Sequence, residues 1–220
     1  MKTLKKQGGF TLVEIAIVLV IVGLLLAGVL KGQELIESSR IKNMAKDMSS
    51  MTAVVTSYQD RYRGLPGDDL TAANIADRGW TSAPALTAVA ASDSLIGAAG
   101  SNPFLNTAAA ILLENRQAIR ALRYAGFLEG NSTDTGPLLN AAGGQIGLTN
   151  GVFGFGVRNV VCLSGLTGKQ AGALDRMLDD GVSNTGDVRA LVAAAPPAAN
   201  AGASSPYVEA TAGFVLCKPL

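Results

Sequence analysis

Histidine is absent from this chain of 220 residues, which also has only two cysteines, one tryptophan and a formal net charge of +1. Without histidine, the usual general base near neutral pH and the commonest metal ligand are both missing, so enzyme chemistry starts at a disadvantage. Near-zero net charge argues against a strongly electrostatic partner such as bulk nucleic acid. Arg61, Arg63 and Arg78 accordingly read as solvated cations rather than DNA contacts. Aromatic residues are sparse, while Gly and Ala abound. The glycine-rich strings supply no cofactor motif. "GVFGFG" (151–156) lacks the strand–turn–helix context of a dinucleotide site, and "SGLTGKQ" (164–170) lacks the phosphate-loop spacing and a Ser or Thr after Lys169. A Ser, Thr or Cys nucleophile would need an unusual base.

Two local absences define what is present. Charge is missing from Phe10 to Leu30 except at Glu14. At about 1.5 Å per residue that run reaches roughly 30 Å, the thickness of a bilayer's hydrocarbon core. Lys2, Lys5 and Lys6 precede it and Lys31 follows, so the denser positive end stays cytoplasmic and the chain beyond position 31 is exported. A carboxylate in lipid costs about 2.5–3.5 kcal/mol, so Glu14 needs a partner or a task. Proline is missing from Gln33 to Arg63, where Ile41, Met44, Met48, Met51, Val55, Tyr58 and Tyr62 recur at alternating steps of three and four. That spacing predicts an amphipathic helix with a narrow apolar seam. As one helix, Phe10 to Tyr62 would be about 80 Å long, more than a bilayer needs, so its second half serves as the spine of an exported domain.

The string Gly8-Gly9-Phe10-Thr11-Leu12-Val13-Glu14, set between a short basic leader and an apolar span, resembles the processing motif of type IV prepilins and of the related pseudopilins of type II secretion. The resemblance implies that a membrane peptidase cuts after Gly9 and methylates the new N-terminus, Phe10. A glycine before the bond, having no Cβ, enters a narrow site in extended form. The resemblance also gives Glu14 its task, pairing with the N-terminal amine of a neighbouring subunit as filaments assemble. A plain signal anchor is the bland alternative. The domains read as leader 1–9, transmembrane and assembly helix 10–31, amphipathic spine 32–63, and a globular region 64–220 that includes the spine in its fold. The expected class is α+β, a long N-terminal helix packed on a C-terminal antiparallel sheet. Many pilins have a helix-breaking proline just past the span; this chain has Lys31 there, between Gly28 and Gly32.

Beyond the spine the punctuation is coarse. "RGLPGDDL" ends the helix, with Asp68 or Asp69 expected to open a short helix over 70–75. The phrase Leu65-Pro66-Gly67-Asp68-Asp69, with Trp80 after it, resembles a subgroup of pilin-like proteins. Asn102-Pro103 predicts a helix start and Gly126 its end. Residues 144–165 predict a β-hairpin turning at Asn150-Gly151, with Val152, Gly154 and Gly156 on one face. Residues 167–178 predict a helix. "DVRALVAA" and "PYVEATAGFVLC" predict strands around the low-complexity connection "APPAANAGASSP". Two cysteines in an exported region, Cys162 and Cys217, imply a disulfide. The resemblance adds that such a bond pins the last surface loop of a pilin to its sheet, whereas pseudopilins usually lack it. Asp179, Asp180, Asn184 and Asp187 crowd one turn with two glycines, which reads either as a plain solvated turn closing the helix at Gly181 or as hard oxygen ligation of Ca²⁺. Some pilins and pseudopilins carry calcium in a C-terminal loop.

The reading is therefore a non-enzymatic filament subunit, a type IV pilin. Its partners are the prepilin peptidase, the inner-membrane assembly machinery and other copies in a helical filament; no cofactor is expected, with calcium at that turn as the alternative. It sits in the inner membrane with an exported, periplasmic domain before assembly and in an extracellular pilus afterwards. A pseudopilin of type II secretion is the alternative, and a signal-anchored periplasmic enzyme or binding module the outsider.

Overall fold

The computed structural model describes residues 9, 11–80, 86, 93–104, 113–131, 134, 136–193 and 206–220. Phe10 and most of the low-complexity connection lie outside the described residues. The chain divides into two compact units, Met1–Arg40 and Ile41–Leu220.

Helix α1 runs from Leu12 to Tyr62 without a break, through Gly28 and Gly32. Lys31 bridges to Glu34 at 2.6 Å, one helical turn on. In the first unit the apolar side chains from Leu12 to Leu30 lie exposed, and none of the most apolar eighteen-residue stretch is buried. The helix ends where Arg63 adopts φ 58°, in the left-handed region, and donates its N–H to Gln59 at 2.8 Å.

In the second unit, residues 41–62 of α1 bury the predicted seam. Ile41, Met44, Met48, Met51, Val55 and Tyr58 are all buried, with Tyr62 partly so. They share one core with helices α2 (Ala72–Asp77), α3 (Glu114–Tyr124) and α4 (Gly168–Leu178), and with one face of a sheet. Among the described residues the strands are β1 (Leu138–Leu139), β2 (Gln145–Asn150), β3 (Asn159–Thr167), β4 (Arg189–Val192) and β5 (Ala212–Pro219). They pair antiparallel in the order β1-β2-β3-β5-β4.

Side chains alternate across the sheet, as strand geometry requires. Leu148, Val161, Leu163, Phe214 and Leu216 face the spine. Val160, Cys162, Val215 and Cys217 face a second apolar cluster with Phe104, Val152, Phe153 and Phe155. The fold is α+β, a long helix packed on an antiparallel sheet, as expected.

Four local expectations are corrected. The short helix is opened by Thr71, whose hydroxyl accepts the Asn74 N–H, because both aspartates before it are engaged elsewhere. Asn102 and Pro103 lie in a turn, with the Asn102 carboxamide accepting the Phe104 N–H at 2.9 Å, and α3 begins only at Glu114. Asn150 does not turn the chain. It ends β2 opposite Asn159, donates its side chain to the Ile96 and Gly97 carbonyls, and accepts the Gly100 N–H. Residues 151–158 then form a loop that buries Val152, Phe153 and Phe155, so no strand face carries Val152, Gly154 and Gly156. Arg78 is not a solvated cation, because its side chain is only 12% exposed.

Candidate functional site

Gly9 and Glu14, the residues expected to serve processing and assembly, stand at and just before the start of α1. Gly9 is exposed. Thr11 and Glu14 form a reciprocal capping pair. The Glu14 carboxylate accepts the Thr11 N–H and hydroxyl, both at 2.8 Å, while the Thr11 hydroxyl accepts the Glu14 N–H at 3.2 Å. A Thr followed three residues later by Glu satisfies two of the helix's orphan N–H groups in this way. The sequence reading missed this role, although the T-x-x-E spacing signals it. It explains locally how a carboxylate is held at the start of an apolar helix. One carboxylate oxygen, Oε2, takes both Thr11 donors, leaving Oε1 for a further donor.

The two cysteines are bonded. Cys162 and Cys217 oppose each other directly in the β3–β5 register, with Cα atoms 4.1 Å apart. Both are fully buried among Phe153, Phe155 and Val215. The bond therefore joins two strands the ladder already pairs, and the segment it encloses contains α4 and β4.

At the turn after α4, Asp179 accepts the N–H groups of Asp187 at 2.5 Å and Val188 at 3.1 Å. Asp180 accepts the Val182 N–H at 2.8 Å and the Thr185 hydroxyl at 2.5 Å. Both are brought to Asp175, a residue the sequence reading did not include, with carboxylate oxygens of all three within 4.8 Å of one another. Asp175 is fully buried, takes the Tyr207 hydroxyl at 2.6 Å, and is held above the usual carboxylate range first by burial and then by Asp180 and Asp179. Asp187 is not one of the three; its carboxylate lies 3.8 Å from Arg158. Asn184 is exposed on the same turn.

The phrase Leu65-Pro66-Gly67-Asp68-Asp69 and Trp80 belong to one knot at the spine's end. Asp69 takes the Tyr58 hydroxyl at 2.9 Å and Arg78 at 2.6 Å, and Arg78 also donates to the Tyr58 oxygen at 2.8 Å. The Arg78 guanidinium lies 4.4 Å from the Tyr62 ring centre and 4.9 Å from that of Trp80. Burial, with Asp69 beside it, pushes the Tyr58 hydroxyl far above its ordinary range, so it stays a donor. Residues 20 apart in sequence cannot be paired by periodicity.

The family model for the prokaryotic N-terminal methylation motif matches residues 4–30. No curated protein matches the chain, and no solved structure does.

Proposed function

We propose that this chain, which carries the signature of type IV prepilins and pseudopilins over residues 4–30, is a structural subunit of a type IV pilus. In this reading the peptidase removes residues 1–9, leaving Phe10 as a methylated N-terminus. Residues 10–31 wait in the inner membrane, with the unit from Ile41 onward exported. On assembly the apolar face leaves lipid for a bundle of identical helices, an exchange of one apolar surrounding for another. The charges decide register. An N-terminal amine and a carboxylate four residues away, moved from lipid into a helix bundle, are stable only when paired. Glu14 pairs with the amine of a neighbouring subunit, in addition to the local capping bonds it makes with Thr11.

The observation that carries the proposal is the methylation motif, matched over residues 4–30, running into a capped helix whose apolar side chains are exposed. The Cys162–Cys217 bond favours a pilin over a pseudopilin. The structural role fits the lack of histidine and of any catalytic motif. Shearing cells and sequencing the fibre fraction by mass spectrometry tests it. The chain should be present in long extracellular fibres, starting at methylated Phe10. Recovery only in the cell envelope would point to a pseudopilus, and an N-terminus other than Phe10 would end both readings.

The proposal extends to calcium at the turn after α4, with Asp175 joining Asp179 and Asp180. Three carboxylates gathered at a helix C-terminus, where the dipole disfavours negative charge, are relieved by a divalent cation with oxygen ligands.

A further inference from the structure

We propose that Asp68 and Glu114 form a proton-dependent latch tying the segment after the spine to the start of α3 and to the 93–97 turn. Asp68 is only 4% exposed and accepts the N–H groups of Asp93 at 2.9 Å and Ser94 at 3.1 Å. The Glu114 carboxyl, in the first turn of α3, stands against Asp68. Oxygens of Asp68, Asp93 and Glu114 lie within 4.8 Å of one another, and Glu114 Oε1 is buried without a hydrogen bond of its own. Gly67, at φ 95°, lets the backbones meet. A Cβ there would stand 2.7 Å from the Glu114 carbonyl oxygen.

Carboxyl groups whose oxygens lie within 4.8 Å of one another repel when all are charged, so one of them holds a proton more tightly. Both Asp68 oxygens already accept backbone N–H donors, so Glu114, with Oε1 unpartnered, is the group left to carry the proton. Burial, then the negative charges of Asp68 and Asp93, raise Glu114 to about 7 against the opposing Gly97 N–H. The other ionisable groups nearby are Asp60 and Arg63, which line the hollow that Asp68 borders. The α3 arginine Arg116 interacts with Arg123, Arg120 and Asp134. An acid whose folded value is raised binds its proton more tightly in the folded chain. The stability it contributes is present below the unfolded value near 4.5 and is lost as pH rises through about 7. Above that point three like charges face one another and the 93–97 turn loosens. The latch belongs to the unit beginning at Ile41 and holds whichever filament the chain builds.

Hydrogen exchange on the full chain in detergent micelles, corrected for intrinsic rates, tests this from pH 5 to 8.5. Protection of the Asp93, Ser94 and Gly97 amides should fall about tenfold around pH 7. The full shift would permit ~300-fold, but Glu114 is only half-buried and solvent screens it. Amides of the β3–β5 ladder should not follow, and Glu114→Gln, which keeps a neutral side chain of the same shape, should flatten the response. In a second measurement on the unaltered chain, the Glu114 carboxyl carbon resonance should titrate near 7. A Glu114 midpoint near 4.5, a fall that survives Glu114→Gln, or equal loosening of the sheet would overturn the proposal. Should the variant not fold, the carbon titration decides alone.

Discussion

Arg78 sits 2.6 Å from the Asp69 carboxylate, in an ion pair whose side chains are only 12% and 8% exposed. The Tyr58 hydroxyl touches both partners, so the pair joins the spine to the loop that follows it. Removing one member leaves a buried charge uncompensated. Arg78→Ala should therefore cost about 3 kcal/mol in denaturant unfolding of the full chain in micelles. Trp80, the only tryptophan, reports on the site by fluorescence. A loss below about 1 kcal/mol would mean that the aromatic stack alone holds the loop.

The observed capping role of Glu14 and its proposed assembly role separate in Glu14→Gln. Glutamine at this position still reaches back to the Thr11 N–H, so the start of the helix persists. The charge that pairs with a neighbour's amine is gone. The variant should be processed normally, yet filament yield should drop at least tenfold. Thr11→Ala keeps the charge and loosens the cap, costing about 1 kcal/mol locally, and should assemble. Equal filament yield from Glu14→Gln would confine the residue to capping.

For the disulfide, alkylation of the native chain should trap no thiol, and non-reducing peptide mapping should recover Cys162 linked to Cys217. The double serine variant should lose about 2–4 kcal/mol on the chain-entropy account. Its strands should stay in register, because the β3–β5 ladder pairs Val160 with Pro219 and Leu163 with Leu216 without help from sulfur. Proteolysis of the variant should begin between the cysteines. Free thiols in the native chain would remove the argument for a pilin over a pseudopilin.

Calcium at the turn after α4 should appear as heat in calorimetric titration at millimolar metal and as a melting temperature several degrees higher than in chelator. Asp180→Asn and Asp175→Asn should each abolish the shift, whereas Asp187→Asn should leave most of it, because Asp187 faces Arg158 instead. Absence of heat and of any shift would retire the site.

The long helix, its seam and most strands were legible because each rests on a repeat the residues carry themselves. The 3–4 spacing from Ile41 to Tyr62 means one buried stripe wherever that stripe finds a partner. Helix α4 was legible from Thr167, whose hydroxyl and the Gln170 side chain close a capping box. Asn150-Gly151 misled, because a dipeptide that favours a tight hairpin was overruled by three buried apolar side chains in residues 151–158 and by hydrogen bonds to residues 96–100.

What the sequence alone determined is local or one-dimensional: an apolar run of membrane length, the motif string around Gly9 and Phe10, a spine without proline, and two cysteines. The meeting of Tyr58 with Asp69 and Arg78, of Asp68 with Glu114, and of Asp175 with Asp179 and Tyr207 was decided only by the tertiary structure. These pairs have no common spacing, and each becomes favourable only once burial removes water and leaves a polar group no partner but the one the fold supplies.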